Sequence, residues 1–296
     1  MSILRVAHIV HAGSEIVALA HNGHLLDVAA LEKRLTIDTS PARFTEQAGS
    51  FRQRVFSLGL AGFEELAENL GEGRPPAEAI LNPKRCLFLP PTLPDRALIE
   101  FDITASAQSP RMRWGNARCL VGHDAPLRIP SDEPQPRLTV QVAAVLRDDL
   151  RSATVEEAGN AIAGFAALCT WDFPSRDRCS PGWGHCRLGQ LGPFLVIQNA
   201  PWNPASASVS IEVNGTGVLT AAGRPWRWSF AELVAFASDG VDLLAGDVLA
   251  SGPIARVSSD GGSALRGGDQ IAVEIAGLGR LSGVIVAGEE RSRFPG

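Results

Sequence analysis

The chain has 296 residues, 45% hydrophobic and 20% charged, with a formal net charge of −5. That balance fits one large domain or two unequal ones with a real core. The acidic total, with Lys and Arg scattered, argues against a phosphate-binding face and so against nucleic acid as main partner. Apolar runs such as 161–169 are too short to span a bilayer, and MSILRVAHIVHAG lacks the pattern of a signal peptide. Five cysteines without regular spacing make no disulfide framework. A cytoplasmic protein without a membrane partner is expected.

In chain order, the first segment alternates apolar and polar residues and turns at Asn22-Gly23, between IVALAH and HLLDV. That dipeptide supplies the positive φ angles of a tight hairpin. From Ser50, a candidate N-cap, Phe51, Val55, Leu58, Phe63, Leu66 and Leu70 fall near helical spacing, with Gly71 or Gly73 as the stop. The Pro-rich passage RPPAEAILNPKRCLFLPPTLPD follows, and the domain boundary is placed inside it, giving units 1–85 and 86–296.

Beyond Pro90 the pattern is mostly short strands with two clearer helices. Thr154 with Glu157, and Ser229 with Glu232, have capping-box spacing. The first box precedes Ala158, Ile162, Phe165 and Ala166, the second Leu233, Phe236 and Ala237. LTVQVAAVL (138–146) reads as a strand, which puts Thr139 and Gln141 on one face and Val140 and Val142 on the other. Asn214-Gly215 marks a second hairpin. The Gly277, Gly279, Gly283 spacing precedes a strand rather than a helix and is no dinucleotide loop.

Taken in order, VGHDAPLRIP (121–130), LTVQVAAVL, TVEEAGNAIAGFAALCTWDFPSRD (154–177), LGPFLV (191–196), VNG (213–215), LLAGDVLASGP (243–253), LRGGD (265–269) and IAGLGRLSGVI (275–285) resemble the fumarylacetoacetate hydrolase family. Their order over roughly two hundred residues carries the resemblance more than any one word. It implies an α+β, β-rich fold: a rolled mixed β-sheet catalytic domain behind a small N-terminal α/β domain, usually a homodimer acting on a small molecule. It also implies a divalent ion held by a Glu-x-Glu pair and a later Asp, with a His and an acid moving protons.

Position by position, that Glu pair becomes Thr139 and Gln141, and the Asp is matched by Asp172. The His and Glu of the family's early helix should fall near Asp102 to Gln108, where neither residue type occurs. Expected lysines near Trp183 and Gly115 are also missing. A divalent ion needs several anionic or carbonyl oxygens, so no metal is expected; magnesium or manganese is disfavoured.

The remaining candidates follow from residue type. Asp172 would act as acid or base and Arg176 as a clamp for a carboxylate or enolate oxygen. The alternative for Arg176, Asp172 and Asp177 is an ion-pair network holding the turn. His185, in the loop CSPGWGHC, is the best general acid or base by its unperturbed pKa. Thr139, Gln141 and Ser251 would hydrogen-bond substrate, with Trp183 and Trp114 shaping the cavity; Arg111, Arg113 and Trp114 form the only concentrated cationic-aromatic stretch. The sequence supports a metal-independent enzyme for an oxo, enol or carboxylate substrate, by tautomerisation, decarboxylation, C–C cleavage or ring closure. Alternatives are a non-catalytic scaffold of the same fold and a conventional metal-dependent hydrolase with substituted ligands.

Overall fold

The computed structural model describes residues 3–35, 51–71, 73–92, 95–102, 109–131, 133, 135–177, 188–198, 202–204, 207–223, 225–258 and 265–288. It begins with β1 (Ile3–His11), β2 (Ser14–His21), β3 (His24–Asp27), α1 (Val28–Leu35), α2 (Phe51–Leu70), β4 (Ile80–Leu81) and β5 (Leu87–Leu89). There follow β6 (Ala97–Asp102), β7 (Arg111–Asn116), β8 (Leu120–Val121), β9 (Pro126–Ile129), β10 (Arg137–Leu146), α3 (Val155–Asn160), β11 (Ile162–Asp172) and α4 (Pro174–Asp177). The last elements are β12 (Leu188–Gln198), β13 (Val209–Val213), β14 (Thr216–Ala221), α5 (Phe230–Ala237), β15 (Val248–Ala250), β16 (Ala255–Ser258), β17 (Gln270–Ile275) and β18 (Gly279–Ala287).

Among the described residues the strands form two sheets. The larger runs β4-β3-β2-β1-β12-β11-β10-β15-β6-β7, with β5, β8 and β16 beside β1, β12 and β10; the smaller runs β14-β13-β17-β18-β9. Parallel pairs (β15 with β6, β18 with β9) make both sheets mixed. This is the β-rich architecture expected. The antiparallel pairing of β1 with β12 carries the N-terminal segment into the same sheet as β10 and β11.

Both Asn-Gly hairpins form. Asn22 and Gly23 have φ of 46° and 77°, Asn214 and Gly215 of 52° and 76°, the doubly positive geometry of the tight turn. Both capping boxes close: Thr154 and Ser229 each accept from the backbone N–H of the glutamate three residues on, and that carboxylate accepts from the cap's N–H. Helix α2 ends at Gly71, whose φ is 54° and whose N–H returns to Ala67 and Glu68 carbonyls. Its expected N-cap, Ser50, lies outside the described residues.

One helix is shorter than its apolar spacing suggests. The helix begun at Thr154 stops at Asn160, and Ile162, Phe165 and Ala166 belong to β11 instead. The reason is burial on both faces. Phe165, Ala167, Cys169 and Trp171 enter the core shared with the smaller sheet and α5, whereas Ala166 and Leu168 enter the core beneath α1 and α2. A central strand covered on both sides reads as a continuous apolar run, which periodicity alone does not distinguish from a buried helix. Strand β10 is covered likewise, with Val140, Val142 and Ala144 on one side and Ala143 and Val145 on the other. No described helix is long and apolar enough to cross a membrane.

Candidate active site

Gln141 sits among apolar neighbours in β10, yet its side chain is 1% exposed. Its Nε2 donates to Glu100 Oε2 at 3.0 Å and to Thr170 Oγ1 at 3.1 Å. Glu100 is 3% exposed and Thr170 fully buried. The Gln141 carbonyl, Oε1, is also buried and meets no hydrogen-bond partner among the described residues. The amide orientation follows from its neighbours: turned over, Oε1 would face a carboxylate oxygen, two acceptors in contact.

Sheet register extends the cluster. Thr139 stands opposite Thr170, and Arg137 opposite Asp172, across β10 and β11. Thr139 also pairs with Arg256 on β16, and Glu100 with Arg113 on β7. Directly opposed residues share a sheet face, so Thr139, Gln141, Thr170, Asp172 and Glu100 have Arg113, Arg137 and Arg256 on their own face. Thr139 is buried, Asp172 half-buried, and all three arginines are exposed. The arrangement is a buried floor of acceptors and hydroxyls under a cationic rim, at the sheet end where β10 starts and β6, β11 and β16 finish.

The sequence-based candidates divide accordingly. Thr139, Gln141 and Asp172 come together. Arg176 lies in α4, its side chain outside the described residues, as are His185, Trp183 and positions 103–108. The turn carrying α4 is anchored by Glu133, a buried carboxylate that accepts from the Ser175 backbone N–H at 3.2 Å and from its hydroxyl. Trp114 pairs with Ile99, on the opposite sheet face from Glu100, and is half exposed. Ser251 is fully buried; its Oγ accepts from the Val142 N–H at 3.1 Å and donates to the Gly252 carbonyl at 2.8 Å. That is the hydrogen bond closing a strand end.

Glu100 escaped the sequence reading. Its signal was present: in ALIEFD, Leu98 shares a face with Glu100 while Ile99 and Phe101 face the other way, so a carboxylate follows a buried leucine on an inward face. Two of the described cysteines, Cys169 and Cys86, are held as thiols and not as nucleophiles. Burial pushes Cys169, on the far face of β11, up to about 12. Burial also raises Cys86, whose Sγ is 3.8 Å from His11 Nδ1; a thiol activated by a base needs the opposite shift.

Residues 98–286 match the family described as fumarylacetoacetate (FAA) hydrolase C-terminal. The chain belongs to this family. Among relatives of this fumarylacetoacetate hydrolase family chain, a protein of Archaeoglobus fulgidus is 25% identical over 67% of this chain and 82% of its own length. An oxaloacetate tautomerase of Escherichia coli is 27% identical over 51% of this chain and 71% of its own. Other curated relatives are spanned over 48–63% of their length. Among solved structures, maleylpyruvate hydrolase from Sphingobium sp. SYK-6, in complex with manganese and pyruvate, superposes with a TM-score of 0.69. It is 18% identical, covering 96% of this chain and 100% of that one; at that identity the likeness shows the fold.

Members of the family that hold a divalent ion need anionic oxygens converging on it. In this chain the matching strand offers a hydroxyl and an amide, with a carboxylate only at Asp172. Glu100 adds a carboxylate beside them, so the anion count is higher than the motif suggests, but one of its oxygens is engaged by an N–H donor of Gln141. Among the described residues no three His, Cys, Asp or Glu side chains group as metal ligands. Among the described residues, a hydroxyl and an amide where the motif has two carboxylates make a donor set that does not fit the family's ion.

Proposed function

We propose that this chain is a metal-independent enzyme of the fumarylacetoacetate hydrolase family that tautomerises a small enol or oxo carboxylate. The observation that carries the reading is the Gln141–Glu100–Thr170 cluster, a buried carboxylate hydrogen-bonded by an amide, at the position where the family's paired glutamates stand. Arg113, Arg137 and Arg256 on the same face suit a substrate carboxylate. Related chains named as oxaloacetate tautomerases support the reaction class.

The step needs only proton transfer. The enol hydroxyl proton passes to a carboxylate, the O–H electron pair becomes the new C=O, and the C=C pair takes a proton at the adjacent carbon from a second acid. The first carboxyl and the second acid then re-equilibrate with solvent, so the product is an isomer of the substrate. Asp172 and His185 are the proposed proton-moving groups and Arg176 the clamp on the developing oxyanion. General acid–base groups of this kind contribute about 10²–10⁴-fold. A homodimer in the cytoplasm is the proposed working form.

The test is ketonisation of enol-oxaloacetate, followed by ultraviolet absorbance in chelator. The wild-type protein is expected to accelerate the decay, and Asp172→Asn to lower kcat by at least about tenfold. No acceleration with enol-oxaloacetate or enol-phenylpyruvate, or acceleration that appears only with added manganese, overturns the proposal.

A further inference from the structure

We infer that the buried cluster at Gln141 is a recognition site for a ligand hydroxyl: Gln141 Oε1 and Glu100 accept from a 2-hydroxy or enol group, and the arginine rim holds the carboxylate beside it. This rests on the reading of the cluster under Proposed function but concerns binding, and its test needs no turnover.

The argument starts from donors and acceptors. Gln141 commits both described donor contacts to protein, one to Glu100 and one to Thr170, and leaves its carbonyl without a partner among the described residues at 1% exposure. A buried acceptor is matched by a donor, and a leftover one marks where the missing donor belongs. Glu100 beside it is an acceptor too. A ligand keto oxygen brings no donor to this floor and meets two acceptors; a hydroxyl brings the one it lacks. The cluster therefore discriminates oxidation or tautomeric state through hydrogen-bond polarity, where a cation would favour oxygen lone pairs of any kind.

The second half of the ligand is set by the rim. Arg113 is across from Glu100, Arg256 across from Thr139 and Arg137 across from Asp172. Opposed side chains on one face have Cβ atoms about 5 Å apart. A guanidinium one strand from the cluster is thus placed for a carboxylate attached next to the hydroxyl-bearing carbon. The ligand class that satisfies both halves is a 2-hydroxy acid or the enol of a 2-oxo acid.

Malate and succinate differ by one hydroxyl and serve as probes, titrated by calorimetry in chelator into the full-length protein. Malate is expected to bind at least about tenfold tighter, the value of one hydrogen bond to buried acceptors. Gln141→Leu and Glu100→Gln are expected to reduce that ratio to below about threefold, with folding checked by thermal denaturation. Arg113→Gln is expected to weaken both probes and keep their ratio. Equal affinities in the wild-type protein, no binding of either probe at millimolar concentration, or a ratio that survives both substitutions overturns the inference. Malate preference without enol ketonisation removes the proposed reaction and leaves this site; ketonisation with a preference indifferent to Glu100 and Gln141 does the reverse.

Discussion

Replacing Gln141 with glutamate tests the charge reasoning directly. In Gln141→Glu, an oxygen stands where Nε2 now donates, 3.0 Å from Glu100 Oε2. Two ionised carboxylates at that distance repel by about 5 kcal/mol at an effective dielectric of about 20, and the lost charge-assisted hydrogen bond adds about 1.5–3 kcal/mol. The pair escapes by sharing one proton. Holding a glutamic acid protonated at pH 7 against a reference near 4.3 costs about 4 kcal/mol, and this cheaper route caps the penalty. The variant should therefore be about 4 kcal/mol less stable than wild type at pH 7 in chelator. The deficit should shrink by about 1.4 kcal/mol for each pH unit below that, because the folded state then binds one more proton than the unfolded one. Urea denaturation from pH 5 to 8 measures it, with Gln141→Met as a control that loses the hydrogen bonds without adding charge. Manganese should restore stability to Gln141→Glu and not to wild type. A variant as stable as wild type at pH 7, or wild-type protein stabilised equally by manganese, refutes the reasoning.

Gly122→Ala should destabilise by about 3 kcal/mol or more, since its Cβ would lie 1.9 Å from the Phe88 carbonyl oxygen and 2.6 Å from its carbon, both backbone atoms; a variant within 1 kcal/mol of wild type by about the same urea midpoint would contradict that packing. His123 is held below its ordinary value by burial, with Asp124 opposing and Arg280 assisting, and its Nδ1 accepts from the Ser282 N–H at 3.1 Å. The fold prefers the neutral ring, so stability should fall as pH drops through about 6.5 towards the lower folded value, and His123→Asn should flatten that part of the profile in urea titrations. Cys169, at about 12 and 1% exposed, should react with an aromatic disulfide reagent only as fast as the chain unfolds; prompt labelling in native buffer would show it accessible.

What the sequence disclosed follows from how local each feature is. Asn-Gly turns, capping boxes and the alternation in LTVQVAAVL depend on residues within four positions of one another, and all form. The helix misread into β11 and the neglected Glu100 share the opposite property. Whether IAGFAALC is strand or helix depends on α1, α2 and the smaller sheet covering it from both sides. Whether Glu100 matters depends on β15 carrying β6 next to β10, a pairing between residues more than a hundred positions apart. The family's motif pointed to Thr139 and Gln141 as losses. The sheet supplies a carboxylate from another strand, which no reading of the motif alone contains.

The cluster offers a test between a functional site and a purely structural one. Four polar side chains, Thr139, Gln141, Thr170 and Glu100, are at most 6% exposed on a sheet face whose buried apolar members are alanine, valine and leucine. An isolated polar group there is costly, whereas removing both partners of a buried pair is often neutral or stabilising by about 1–4 kcal/mol. Glu100→Leu alone should remove the acceptor of one Gln141 N–H, and Gln141→Leu alone should remove one donor to the Glu100 carboxylate, each costing about 1–3 kcal/mol. Glu100→Leu with Gln141→Leu should recover that loss and reach or exceed wild-type stability, while the preference for malate over succinate is lost. Chemical denaturation of the four proteins of this cycle, with calorimetry on each, gives the answer. A double variant less stable than either single one would mean that the cluster is kept for stability, and that the binding-site reading built on it fails.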